Sequence, residues 1–292
     1  MLALIVVLYA VVVIKNIRKT RDLMKKEKGS LPFYSLSLMV IMFFATFGIS
    51  DTALAVSLYK GAKKVDDKLL PGTVITEAVF PVAAMAFAFL ASIEVDMLTL
   101  VACIVAQSLG SYLGVRIIVG MDVHRIRYIM GSALLVTAIL IIGKLFLLGG
   151  AGGSGIGLTS WELGMAFIAF FVFGGLNMIG MGAMIPCMAV LLLLGVDMKA
   201  VYPIVMASNT VSCCLGAYKF VQSGQYTRKA VIGSVFGIIG VLVAVQLVAY
   251  MNVLILQFLM ILLLMYCSFD MFRTEYRIKR MSWVKTRKAV IK

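Results

Sequence analysis

Histidine occurs once in 292 residues, at position 124, and the five cysteines include no Cys-x-x-Cys spacing. No set of residues here has the spacing of a metal centre. Cys103, Cys187, Cys213, Cys214 and Cys267 all lie in or at the edge of apolar segments, and Cys213 and Cys214 are adjacent, which disfavours an ordinary disulfide between them. They read as small buried hydrophobes, with a thiol relay as the minor alternative. A phosphate-binding glycine loop and a nucleophile–base pairing are also missing, so neither an enzyme nor a cofactor is expected. Acidic residues are scarce, 13 against 27 Lys and Arg, for a net charge of +14. The basic residues sit in short loops and tails beside apolar runs. That placement points to membrane topology and anionic lipid as a partner, and to no nucleic acid.

What is abundant is apolar sequence: 62% of residues are hydrophobic and the mean hydropathy is +1.06. A soluble fold is excluded, and a multi-pass cell-membrane protein is expected. The apolar segments are Met1–Ile14, Phe33–Tyr59, Leu70–Ala91, Val95–Val119, Tyr128–Leu148, Trp161–Leu194, Ala200–Val221, Ala230–Tyr250 and Asn252–Phe272. The first lacks a basic leader and a small-residue cleavage site, so no cleaved signal peptide is expected; its ~21 Å of helix is short for a ~30 Å hydrocarbon core. A Gly-rich linker, 149–160, divides the chain. The expected organisation is an N-terminal helix and basic loop (1–30), a first membrane repeat (31–148), the linker, a second repeat (161–272) and a basic cytoplasmic tail (273–292). The tail carries Tyr276 and Trp283 and reads as an interfacial segment on anionic lipid.

Charge placement selects a topology. If every segment crossed, with 15–28 inside, Lys60, Lys63, Lys64, Lys68, Arg116, Arg125, Arg127 and Lys199 would lie outside. If Phe33–Tyr59 and Trp161–Leu194 each enter and turn back, only Lys144 and Lys199 of the 27 basic residues remain outside. The positive-inside rule therefore favours two hairpins. Local sequence agrees: Gly48-Ile-Ser-Asp51 sits mid-way in one segment, and Gly174-Gly175, Asn177, Gly180, Gly182 and Pro186 interrupt the other. The halves also repeat at an offset of 131: Val65-Asp66 matches Val196-Asp197, Lys68 matches Lys199, Phe89 matches Phe220 and Ser92 matches Ser223. A hairpin plus three crossings per half makes the repeats inverted. The expected fold is all-α and polytopic, with two inverted repeats, each a re-entrant or broken-helix hairpin plus three transmembrane helices, and an extra N-terminal helix.

The run Phe170-Phe-Val-Phe-Gly-Gly-Leu-Asn-Met-Ile-Gly-Met-Gly-Ala-Met-Ile-Pro186, followed by Ala207-Ser-Asn-Thr-Val-Ser and Ser223-Gly-Gln-Tyr226, resembles the sulfite exporter TauE/SafE family, also called the toluene sulfonate uptake permease family. The resemblance covers about Leu31 to Phe272. The first half departs from the pattern, with one glycine and an acid in Gly48-Ile-Ser-Asp51-Thr-Ala-Leu and a hairpin about five residues shorter. The resemblance implies a secondary carrier for a small anion such as sulfite, thiosulfate or an organosulfonate. A carrier of a small carboxylate, a passive anion channel and a membrane-embedded scaffold or sensor remain alternatives, and a homodimer stays open as the assembly.

An anion site needs positive potential, and the middles of the spans hold almost no Lys or Arg. Half-helix N-termini at the hairpin tips are what remains. At one tip Asn177, Gly180 and Gly182 allow close backbone approach; the plainer reading is tight helix packing. At the other, Gly48, Ser50 and Asp51 stand together. Ser50 or Asp51 caps its half-helix, and an ionised Asp51 makes this the weaker anion subsite. Glu77, ~10 Å into its span, is with Asp51 a candidate for proton coupling; a structural hydrogen bond is the alternative. Ser208, Asn209 and Thr210 offer donors to anion oxygens or join helices, with Gln107 and Gln246 as weaker candidates of the same kind. Lys144 snorkels outward or guides anions at the outer mouth. His124 reads as a solvated loop residue.

Overall fold

The chain is described here from a computed structural model, covering residues 2–66, 68–114, 123–148, 153, 155–178 and 182–290. Its helices in order are α1 (Leu2–Lys19), α2 (Arg21–Lys26), α3 (Leu31–Thr46), α4 (Asp51–Gly61), α5 (Leu70–Ser92), α6 (Met97–Leu109), α7 (Val123–Leu148), α8 (Ser160–Asn177), α9 (Met184–Leu193), α10 (Met198–Ser223), α11 (Arg228–Tyr250) and α12 (Val253–Val290). A π-helical turn, Gly110–Gly114, follows α6. Strands are absent among the described residues; one isolated parallel bridge joins Gly155 to Val196. The protein is thus all-α. Four of its described helices are long and apolar enough to cross a membrane: Leu70–Ser92, Ser160–Asn177, Met198–Ser223 and Arg228–Val248.

Element boundaries differ from the sequence reading in several places, the start of α7 at Val123 rather than Tyr128 among them. The N-terminal helix runs past Ile14 to Lys19, which brings it to ~27 Å. The segment expected to continue to Val119 leaves α-geometry at Gly110. The last segment does not stop at Phe272: α12 continues unbroken through the basic residues to Val290.

Two long segments fold back on themselves. α3 and α4 form one hairpin, whose ends are joined where the Tyr34 hydroxyl lies 2.9 Å from the carbonyl of Lys28 and 3.0 Å from that of Lys64. α8 and α9 form the other, closed where the Asp197 N–H donates to the carbonyl of Gly155 at 2.8 Å. The first hairpin starts and ends beside Lys28, Asp66 and Arg228, hereafter the basic end. The second starts and ends at the opposite end, where Leu158 N–H donates to Thr99 Oγ1 at 2.9 Å and Asp96 caps α6.

The middle of the bundle is α5 against α10. Gly72 meets the carbonyl of Gln225, Thr73 bonds Thr227, and Phe89 meets the ring of Tyr202 at 5.1 Å, so the two helices run antiparallel. α7 and α12 are antiparallel too, with Ser268 donating to the carbonyl of Gly131 and Tyr128 beside Phe272. α3 lies parallel to α11, and α8 parallel to α6. Both contacts use glycine at the crossing. A Cβ on Gly240 would stand 2.0 Å from the carbonyl oxygen of Met39, and one on Gly110 would stand 1.9 Å from that of Phe171. Backbones this close need small residues, as in other packed apolar helices. The apolar window of α10 is 89% buried against 28% for that of α8, which places α10 at the centre and α8 at the rim. Leu4, Ile168, Leu242, Phe258 and Phe269 point outward. Such a large apolar exterior fits a hydrocarbon surrounding.

α1 packs on α10 and α5. Tyr9 donates to the carbonyl of Thr76, Asn16 to that of Val221, and Tyr226 to Asn16 Oδ1. After α2, Glu27 reaches the start of α11. Its carboxylate accepts from the backbone N–H of Arg228 at 2.9 Å and of Lys229 at 3.0 Å, and from Arg228 Nη1 at 3.1 Å. The ion-paired side chains are only 6% and 9% exposed. Glu27 therefore caps α11 and neutralises a buried arginine at once. Glu27→Ala strands that charge. It should lower unfolding free energy in detergent by about 3–5 kcal/mol, whereas Asp22→Ala, whose contact with Lys25 is solvent-exposed, should change it little.

Candidate functional site

The tip of the first hairpin is Phe47-Gly48-Ile49-Ser50. Gly48 has φ +102°, a backbone conformation that favours glycine, and a Cβ there would come within 2.7 Å of Leu263 Cδ1, the mobile end of that side chain. Ser50 is the N-cap of α4, its side chain accepting from Ala53 N–H at 3.2 Å. Asp51 is the first helical residue and receives a long bond, 3.4 Å, from Thr52 Oγ1. Of the two capping candidates, Ser50 does the capping and leaves the Asp51 carboxylate available.

The second tip follows Asn177, the last residue of α8. Gly180 and Met181 lie outside the described residues. Gly182 has φ +66° and open space where a side chain would go. Ala183 occupies the N-cap of α9 and makes no side-chain bond to it. The first N–H groups of α9 thus lack the side-chain acceptor that Ser50 gives α4.

The second tip reaches α10, where Asn177 lies against Asn209 and near Cys213. Asp51 of the first tip is in electrostatic range of the same Cys213. Asp51 is also in range of Glu77 on α5. Glu77 is fully buried. Tyr59, near the end of α4, donates to Glu77 Oε2 at 3.0 Å, while Oε1 has no partner among the described residues. One turn from Cys213, Asn209 Oδ1 accepts from Gln107 Nε2 at 2.9 Å and from Asn177 Nδ2 at 3.3 Å. Gln107 Oε1 and Ser108 Oγ are likewise buried without partners among the described residues. Unpaired polar atoms in an apolar interior carry a desolvation cost, and they concentrate here.

The remaining candidates are placed differently. Ser208 donates to the carbonyl of Ile204 at 2.8 Å and Thr210 to that of Met206 at 2.7 Å, so each hydroxyl proton is committed to its own helix. Gln246 is exposed on α11, away from the cluster. His124, expected in a loop, falls in the first turn of α7 (Val123–Leu148); its side chain and that of Lys144 lie outside the described residues. Tyr59 joins the site without a signal in the local sequence: only the return of the hairpin brings it to Glu77. The pair Ser111 and Ser212, hydroxyl to hydroxyl between the π-helical turn and α10, is a further polar contact that hydropathy hides.

Among the described residues, no Lys or Arg takes part in this central cluster. Positive potential there comes from the uncapped start of α9 and from amide N–H groups. Asp51 stands at the first tip, Glu77 is bonded to Tyr59 toward the base of that hairpin, and amides stand beside the second tip. No group of three or more His, Cys, Asp or Glu able to hold a metal ion occurs among the described residues. Comparison of the chain with protein-family models, with curated proteins and with solved structures finds no match.

Proposed function

We propose that the chain is a secondary transporter of a small anion, working by alternating access around the two hairpin tips, in the manner its resemblance to the TauE/SafE family implies. The observation that carries the proposal is a pair of broken-helix hairpins entered from opposite ends, the second tip bonded to the central α10 and Asp51 of the first in electrostatic range of it, with buried unpartnered polar atoms on α5 and α6. Broken helices at depth with half-helix ends aimed at one point are the architecture of a midplane site.

The reading includes two inverted repeats, α3–α7 and α8–α12. Supporting it, α5 ends at Ser92 and α10 at Ser223, and α6 starts at Met97 and α11 at Arg228, keeping the 131-residue offset found in the sequence. Exchanging the halves turns the α3/α11 contact into α8/α6 and the α5/α11 contact into α10/α6, and maps the α5/α10 and α7/α12 pairs onto themselves. Corresponding helices that run antiparallel are what an inverted repeat requires. By the positive-inside rule the basic end, and with it the tail, faces the cytoplasm.

In this scheme the anion, a sulfur oxyanion or organosulfonate before a carboxylate, sits at the start of α9. Its oxygens accept from backbone N–H groups near Gly182 and from the amides of Asn177 and Asn209. With Asn209 Oδ1 already engaged, its amide nitrogen is the end offered to ligand. Asp51 and Glu77 are the coupling pair. A proton taken up beside Tyr59 neutralises a buried charge, so the site turns over without leaving an unpaired carboxylate in the apolar interior.

Two measurements bear on this. In purified protein at matched ionic strength, one anion from a panel of sulfite, thiosulfate, sulfoacetate, taurine, acetate, lactate and chloride should raise thermal stability; at a hundredfold its dissociation constant the gain is about 2.7 kcal/mol. Gly182→Leu should remove that shift while folding normally. A Cβ there meets nothing within 4 Å among the described residues, and the left-handed backbone costs roughly 1–2 kcal/mol. Retained wild-type affinity would remove the tip from the site. In proteoliposomes, Glu77→Gln should abolish accumulation driven by a pH gradient and spare anion counterflow. An unchanged pH dependence would remove Glu77 from coupling, and ohmic conductance without saturation would replace the carrier with a channel.

A further inference from the structure

A second cavity lies between the central cluster and the basic end. Its volume is about 340 Å³, and it is enclosed by the π-helical turn after α6 and the last turns of α10. Its walls are mainly apolar: Tyr112, Leu215 and Phe220 line it, and Met178 closes its inner end. Lys219 is the only charged residue among the described residues of the lining. Its ammonium stands 5.1 Å from the centroid of the Tyr112 ring, which holds the charge over the cavity.

The inner end has a specific fit. Met178 directly follows Asn177, and its sulfur occupies the space beside Gly216. A Cβ on Gly216 would come within 2.5 Å of that sulfur, so the glycine makes the seat for the methionine. On the far side of this contact, one turn back along α10, is Cys213, near Asn177. The flexible Met178 thioether, beside the Ser111–Ser212 pair, stands between the cavity and the polar cluster.

We infer that this cavity is the basic-end vestibule of the anion path, with Lys219 as its receiving cation and Met178 as its inner door. A positive charge at the open rim of an apolar-walled cleft raises the local concentration of anions. The π-helical turn contributes by presenting Tyr112 to the lysine, in keeping with the frequent placement of such turns at functional sites. Motion of Met178 off Gly216 joins vestibule to cluster without moving a helix. The inference rests on the transport reading for the identity of what passes, but its test uses no transported solute. A failure here leaves the carrier intact, and an absence of flux leaves the vestibule intact.

The experiment uses sealed vesicles with the basic end exposed and two thiol reagents of similar size, one anionic (sulfonatoethyl methanethiosulfonate) and one neutral (methyl methanethiosulfonate). Cys103, Cys187, Cys214 and Cys267 are replaced by Ala. At the mouth, with Ser223→Cys and Cys213→Ala, Lys219→Gln should lower the anionic-to-neutral rate ratio by about tenfold, the lower end of what focusing in a charged cleft gives. Lys219→Arg should retain the ratio. An unchanged ratio in Lys219→Gln would overturn the role of the lysine. At the inner end, with native Cys213 as reporter, Met178→Ala should speed modification several-fold or more. Equal rates with and without Met178, whether both fast or both slow, would overturn the door.

Discussion

Broken helices persist in an apolar surrounding only where their freed polar groups face protein, and the antiparallel pair α5–α10 provides that face. α10 is the most buried of the long helices, and it contributes Asn209, Ser212 and Cys213 to the polar interior, while α5 contributes Glu77. Each hairpin lays its second arm against one of these helices, α4 against α5 and α9 against α10. Without the α5–α10 core, neither tip would have a partner at depth. Glycine at the rim crossings makes the arrangement possible: α3 on α11 and α8 on α6 approach at backbone distance, which draws the tips inward.

The two ends are held differently. At the basic end a near-buried ion pair, Glu27 with Arg228, joins the N-terminal segment to α11, and Lys28 pairs with Asp66 beside it. At the opposite end the closing contacts are neutral or backbone: Gly155 with Val196 and Asp197, and Leu158 with Thr99. The extra N-terminal helix is thereby part of the bundle, bonded to Thr76 next to Glu77 and to Val221 near the end of α10. A conformational change at the basic end has to break or carry these charged contacts. That ties the N-terminal segment to any opening there.

Much of the architecture was legible in the sequence. Charge placement alone favoured two fold-back segments, because Lys60 to Lys68 demand the same side as Lys15 to Lys28. Glycines at 48 and 182 marked turns, and both adopt the left-handed backbone that favours glycine. Glu77 announced itself by depth. What stayed hidden were pairings set by tertiary contact. Nothing local links Tyr59 to Glu77, Gln107 to Asn209, or Cys213 to both tips. Ser208 and Thr210 looked like available donors because a sequence does not reveal that a hydroxyl is already spent on the preceding turn. Lys219 carried no signal in the sequence; only the cavity and the Tyr112 ring set it apart. The continuation of α12 into the basic tail was missed because charge there was taken as the end of a helix rather than of its apolar part.

The account depends most directly on both hairpins returning to the face they leave, and on those faces being opposite. Single cysteines at Ser30, Lys60, Ser160 and Lys199 in a cysteine-free background, probed with an impermeant thiol reagent in sealed vesicles of each orientation, measure this. The account predicts that positions 30 and 60 react from one face and positions 160 and 199 from the other. If either pair splits across the membrane, that segment crosses, the hairpins do not enter from opposite ends, and the inverted-repeat transporter is contradicted.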